Sequence, residues 1–498
     1  MTTATTPTRS AGNIIARNVI FTMAGQIALR FGGFLFNILV IRQLGDQSFG
    51  QYSLVLAWAG LFGVVGDLGV TQYFTREIAR NPERSTELFW DVAALRFLLA
   101  IVAFAVTVIG AVLQGYPRDI VIAVALYALT YFLQAILAPL TSVITGNERL
   151  DVASIITVIG QVIFMVCGAI VLFAGKGLIG LVLASFVNLP ISIALCLWTV
   201  RRFKMPTPKF HLRPSTWWML LKVSVPFALI QLTLTFNFQI DTIILQNYQS
   251  YQVIGWYNAS YQFARSLLAI TSAIIVALPL TMAREHERDA KAVNIWYFRS
   301  VKFMFFIGLP MAIGGTLLAD KIIPIVYGKS FAPAILLFAI LIWDIPILMY
   351  TALSGNLTTA IKREKTAMII YLMVGGFNTV TNLLLQPTYG VIAAAVISVG
   401  SETVGAALFY LLFRQEFGTG LSLKHLLRLA IAAVVMGVAV FLLHDLPIII
   451  PLAVGAVIYL ACVYLTGALT LDERQILVGF AARKLSRFIP MRLRTTQS

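Results

Sequence analysis

Apolar stretches of about 20 residues recur from one end of this chain to the other, and no other feature constrains its fold so tightly. A hydrocarbon core about 30 Å thick needs a helix of that length to cross it. Composition agrees: 59% of the 498 residues are hydrophobic and only 12% are charged, with a mean hydropathy of +0.87. Soluble domains carry about a quarter charged residues. Lipid offers a peptide group no hydrogen-bond partner, so helices that satisfy their own backbone are the expected spanning elements. The sequence predicts an all-α polytopic membrane protein.

Apolar runs between loop signals place spans at 18–42, 52–74, 91–113, 119–143, 152–174 and 178–200. A second set falls at 223–247, 255–280, 301–318, 334–358, 367–386 and 391–413, and a last pair at 426–443 and 447–468. About fourteen transmembrane helices put both termini on one side. Of the 37 Lys and Arg, 29 fall in loops on that side, against Arg42, Arg118, Lys176, Lys321 and Lys329 opposite. By the positive-inside rule both termini are cytoplasmic, in a multi-pass protein of the cell membrane. The net charge of +16 therefore reads as topology, with no nucleic acid as partner.

Residues 1–17 form a polar cytoplasmic segment without the pattern of a cleavable signal, so the first span is expected to serve as an uncleaved one. Residues 201–222 read as a cytoplasmic linker and 319–333 as the longest outer loop. The basic tail, 469–498, reads as an amphipathic helix on the anionic lipids of the inner leaflet. Cys167, Cys196 and Cys462 lie in apolar spans without metal-ligand spacing and read as small buried hydrophobes.

Two stretches echo each other. Phe49-Gly50-Gln51-Tyr52-Ser53 resembles Ile254-Gly255-Trp256-Tyr257-Asn258, 205 residues on. Gly177-Leu178-Ile179-Gly180 resembles Gly390-Val391-Ile392-Ala393, 213 residues on. Residues 18–200 and 223–413 thus read as two parallel six-helix lobes, with 426–468 appended. Transporters are often built from such repeats, with the substrate between the halves.

Ionisable groups inside spans are costly and mark candidate sites. Arg30 and Arg265 lie near the middle of their spans, too deep to reach an interface easily, whereas Arg96 is shallower. A guanidinium suits phosphate, to which its planar fork donates two parallel hydrogen bonds. The alternative is that each arginine pairs with a carboxylate, from Asp67, Asp241, Asp344 or Glu402. These acids can also carry H+ or Na+ during transport, the only cofactor the sequence suggests. Asn37, Asn258 and Gln262 are among the amides that can line a sugar-binding cavity, and Asn378 and Asn382 share one helix face. Interhelical hydrogen bonding accounts for such amides equally well.

Arg42-Gln43-Leu44-Gly45-Asp46-Gln47-Ser48-Phe49-Gly50-Gln51-Tyr52, Gly66-Asp67-Leu68-Gly69 followed by Arg76-Glu77-Ile78-Ala79-Arg80, Asp241, and Gly255-Trp256-Tyr257-Asn258-Ala259 carry a family resemblance. On these residues the chain resembles the polysaccharide (O-antigen type) flippases of the multidrug/oligosaccharidyl-lipid/polysaccharide exporter superfamily. The resemblance implies a V-shaped, MATE-like pair of lobes working by alternating access. It implies a cargo of oligosaccharide on polyprenyl pyrophosphate, carried from inner to outer leaflet, with Arg30 and Arg265 meeting the pyrophosphate. Glycosyltransferases and a polysaccharide polymerase are the implied partners, beside membrane lipids. A peptidoglycan-precursor flippase shares the fourteen helices and a cationic cavity; a multidrug exporter has twelve and favours acidic cavities. A membrane glycosyltransferase or polymerase is disfavoured, because no outer loop carries paired carboxylates for acid–base chemistry.

Overall fold

The computed structural model describes residues 9–203, 205, 210–270, 290–361, 363–418 and 423–468. Its helices are α1 (Arg9–Gly63), α2 (Val70–Arg80), α3 (Arg84–Leu113), α4 (Arg118–Ala128), α5 (Thr130–Gly146), α6 (Leu150–Phe173), α7 (Gly177–Arg202) and α8 (Pro214–Gln246). They continue as α9 (Tyr251–Ser266), α10 (Ala290–Leu317), α11 (Ala319–Tyr327), α12 (Ala334–Leu341), α13 (Asp344–Ala360), α14 (Glu364–Phe417), α15 (Leu423–Leu442) and α16 (Ile449–Leu465). Ten helical stretches among the described residues are long and apolar enough to cross a bilayer. Two of them hold two expected spans each, because Gly45 (φ 72°) and Gly390 (φ 60°) break the helical dihedrals within α1 and α14. Glycine takes a left-handed φ without steric cost, so the chain changes direction there with no polar loop.

The expected spans fall on helical segments, the second, fourth and tenth each across a break between two helices and the eighth described only as far as residue 270; residues 271–280 and the tail 469–498 lie outside the described residues. The second span differs from expectation: α1 ends in a 3-10 turn, Val64–Gly66, and α2 starts afresh after Leu68 (φ 43°) and Gly69 (φ 75°). The outer loop expected at 319–333 is instead α11 followed by a 3-10 turn, Lys329–Phe331. At nine residues α11 is too short for a hydropathy window to separate from a loop. Helix starts also shift: α1 begins at Arg9, and α8 begins inside the expected linker with Pro214 at its first turn, where proline's missing N–H is harmless.

Buried clusters divide by half of the chain. One gathers Val92, Leu140, Cys196 and Leu220, and another Leu54, Ile120 and Val182. The largest, around Met304, Phe338 and Phe409, draws mainly on the second half. Helices α15 and α16 join α10 through Met436 and through Tyr459, whose hydroxyl donates to the Phe306 carbonyl at 2.7 Å. Outward-facing Leu113, Ile170 and Leu384 stay exposed, as lipid-facing side chains should.

The halves meet at one end in a glycine seam. A Cβ on Gly50 would overlap the Tyr251 carbonyl and lie 2.9 Å from the Gly255 nitrogen. A Cβ on Gly255 would overlap the Asp46 carbonyl and lie 3.2 Å from the Gly50 nitrogen. Shifting by the 205-residue repeat turns one set of contacts into the other, so the matched glycines sit on a pseudo-two-fold axis. At the second sequence match, Gly177 (φ 55°) and Gly390 (φ 60°) both take a positive φ. Around the seam Trp256 donates to Asp46 at 3.2 Å, Gln114 to Asn247 at 2.6 Å, and Arg42 to the carbonyls of Val326, at 2.7 Å, and Ile325.

Because backbone, not a side-chain tip, fills the space, Gly50→Val and Gly255→Val should each lower Tm in detergent by several degrees. Gly376→Ala, with nothing within 4 Å of its added carbon, should leave Tm unchanged or slightly raised.

Candidate functional site

Below the seam lies a cavity of about 600 Å³ between α1, α6 and α9. Its polar lining is Asn37, Ser53, Gln161, Gln262, Ser266 and Arg265, and Phe36, Tyr52 and Phe164 supply aromatic faces. The Asn37 Oδ1 is buried and accepts no hydrogen bond, leaving an acceptor free for a bound hydroxyl or amide. Arg265 is held by rings rather than by a carboxylate. Its guanidinium lies 3.7 Å from the centre of the Phe238 ring and 3.4 Å from the Tyr261 hydroxyl. Cation–π contact steadies a charge while leaving its N–H donors unspent. Asp344 and Glu402 reach Arg265 electrostatically, yet among the described residues no carboxylate pairs with it at ion-pair distance.

The expected site residues separate into groups. Arg265, Asn37 and Gln262 converge on the cavity. The side chain of Arg30 lies outside the described residues. Arg96 is buried in the first helix group, away from the cavity, 3.1 Å from Asp67, and also donates to Thr71. Asn258 joins α9 to α8, accepting from Thr242 at 3.2 Å.

Asp241 is at the centre of a buried polar knot. It accepts from Tyr257 at 2.9 Å, from Ser398 at 2.8 Å and from Asn382 at 2.8 Å. Asn382 also donates to Asn378 at 3.0 Å and accepts a hydrogen bond from Gln386 at 2.5 Å, and through its bond to Asp241 this face ties α14 to α8. Asp344 differs: it is 1% exposed, and neither carboxylate oxygen has a hydrogen-bond partner. Among the described residues Glu402 accepts only from Thr351, at 3.4 Å.

A second, apolar cavity of about 630 Å³ runs between α10, α12, α15 and α16, lined by Phe306, Met311, Ile342, Met436 and Tyr459 among others. The two cavities share a wall. On α9 and the 3-10 turn after it (Leu267–Ile270), Gln262, Arg265 and Ser266 face the polar space, while Phe263 and Leu267 face the apolar one. Sequence reading missed the apolar cavity and the aromatic lining. The glycines Gly314, Gly315 and Gly455 along it were the available signal, since only hydrogen atoms at those places leave the space.

A family model described as polysaccharide biosynthesis protein matches residues 15–284. Comparison with curated proteins gives no significant match in sequence. Among solved structures, a lipid II flippase MurJ in an inward closed conformation is similar, with TM-score 0.74 and 15% identity over 89% of this chain and 98% of that one. An inward-facing multidrug resistance MATE family transporter of the MOP superfamily gives TM-score 0.61 and 15% identity over 78% and 96%. The Vibrio cholerae MATE transporter VcmN in its bent form gives 0.51 and 17% over 82% and 99%. At such identities the likeness establishes a shared MurJ/MATE-like fold.

Asp241→Ala would strand donors from Tyr257, Ser398 and Asn382 where no water replaces the lost acceptor. Reversible unfolding in detergent should show a loss of about 3 kcal/mol. Asn356→Ala, at an exposed position bonded only within its own helix, should be nearly neutral.

Proposed function

The chain belongs to the polysaccharide biosynthesis protein family, and from that membership we propose that it is a flippase for an oligosaccharide linked to polyprenyl pyrophosphate, moving it from the inner to the outer leaflet by alternating access. One observation carries this reading: α9 separates a polar cavity holding Arg265 from an apolar cavity of similar size. A molecule that needs both is an amphiphile with an anionic, hydrogen-bonding head and a long hydrocarbon tail. Arg265 would take the pyrophosphate, Asn37, Gln161 and Gln262 the sugar hydroxyls, and Tyr52, Phe36 and Phe164 the apolar ring faces. The tail would lie against Phe306, Met311 and Met436.

Loop charge supports placing both termini in the cytoplasm, which puts the Gly50–Gly255 seam on the outer side and α2 on the inner. A proton or Na+ carried at Asp344 and Glu402 is the proposed coupling, because these buried acids adjoin Arg265 and are poorly bonded. The MurJ likeness favours a lipid-linked cargo over a free drug, and lipid II is the second substrate to test.

Flipping of a fluorescent polyprenyl-pyrophosphate oligosaccharide in proteoliposomes tests the reading. Arg265→Ala should slow it roughly tenfold or more, the worth of a charge-assisted hydrogen bond. Gly314→Leu should also slow it by filling the apolar cavity, since the nearest atom to the added Cβ is Met436 Cε at 3.9 Å. Flipping of lipid II alone by wild type would replace the proposed cargo, and unimpaired flipping in both variants would remove the two-cavity account.

A further inference from the structure

Two non-glycine residues among those described take a positive φ, Leu68 between α1 and α2 and Glu148 between α5 and α6, and only the first lies within an expected span. Leu68 stands at φ 43°, in the left-handed region where a side chain crowds its own backbone, and Gly69 follows at φ 75°. Three groups hold this strained turn. Asp67 Oδ1 accepts from the Thr71 backbone N–H at 3.1 Å and from the Thr71 hydroxyl at 2.5 Å, capping α2. Arg96 of α3 pairs with the same oxygen at 3.1 Å and also donates to Thr71.

The turn presses Gly69 onto α8. A Cβ there would lie 2.6 Å from the Ala228 nitrogen, 2.6 Å from Phe227 Cβ and 2.7 Å from the Ser224 carbonyl oxygen. That contact straddles Pro226, which removes a hydrogen bond inside α8 and makes it a bending point. It is also where α8 changes allegiance. Leu220 belongs to the core of the first half, whereas Asp241 and Leu245 are built into the second. The repeat adds an independent mark: moved back by 205, the 3-10 turn Leu267–Ile270 falls on residues 62–65, beside the Val64–Gly66 turn. A 3-10 stretch within a helix is a common sign of a hinge.

We propose that the Asp67-Leu68-Gly69 turn is a latched gate at the end of the molecule carrying α2. With the turn in place, Gly69 clamps α8 to the first helix group and holds that end of the molecule together. When the Arg96–Asp67–Thr71 latch lets go, Leu68 relaxes to helical dihedrals and Gly69 withdraws. The part of α8 beyond Pro226 then swings away with the second half. The gate rests on the alternating-access part of the flippase reading and not on the cargo, so it is tested without substrate.

Spin labels at Arg76→Cys on α2 and Lys365→Cys at the start of α14, both exposed, report the opening. The background replaces Cys167, Cys196 and Cys462 by alanine, and the full chain is measured in liposomes by pulsed dipolar spectroscopy. Leu68→Gly removes the strain from the closed form and disfavours the helical one. It should raise the ratio of short to long distances roughly fivefold. Leu68→Ile, worse in the left-handed region, and Arg96→Gln, which weakens the latch, should lower it. Leu68→Gly gives up the packing of that side chain against the first-half core but relieves the backbone strain, so its Tm is measured alongside, and it decides the matter even if Arg96→Gln unfolds. A distribution unchanged by Leu68→Gly, or one that lengthens, overturns the gate. Loss of flipping with the distance response intact would count against the cargo alone.

Discussion

Lipid supplies no hydrogen-bond partner to a peptide group, and the rest of this structure follows from that fact. Helices are long, and where the chain must leave helical geometry it does so at a glycine or beneath a side chain that replaces the lost bond. Gly45 and Gly390 redirect α1 and α14. At the α2 break the carboxylate of Asp67 receives the N–H freed at Thr71. Every departure is therefore local and has a definite shape, which is what lets rigid helix groups meet along narrow seams.

The same scarcity of partners sorts the buried charges. Arg96 and Arg265 look alike in sequence, each a guanidinium within an apolar span. Arg96 finds Asp67 one helix away and pairs with it. Arg265 is braced by the Phe238 and Tyr261 rings, which steady its charge and keep donors available. Among the acids, Asp241 is saturated by three donors while Asp344 has none. Burial alone does not distinguish these groups; among the described residues they differ in the hydrogen bonds they already make.

Much of the fold was legible because span length and loop charge are read residue by residue, and because two short glycine motifs recur in the same order six spans on. The cavity residues Asn37, Gln262 and Arg265 were legible as polar groups at depth. Their separation from Asn258 and Arg96 was not, since it depends on which way each helix face turns in the packed bundle. The α2 break was hidden because Asp67, Leu68 and Gly69 sit within a hydrophobic window that averages them away. The apolar cavity was hidden for the opposite reason: an apolar residue lining a groove and one facing lipid look the same in a sequence.

The Gly50–Gly255 contact is reciprocal, each glycine meeting the backbone that corresponds to the other's own neighbour. Two copies of one molecule make contacts of this kind across a two-fold axis. A six-helix ancestor bearing this glycine would already have had a surface with which to recognise itself, before duplication joined the copies into one chain. Fusion then freed the two halves to differ. At the repeat spacing of 205, the place of Arg265 is held in the first half by Gly60, and the place of Asp241 by Phe36. The seam has the symmetry of a homodimer contact, and the cavity beneath it has an asymmetry that two identical halves could not supply.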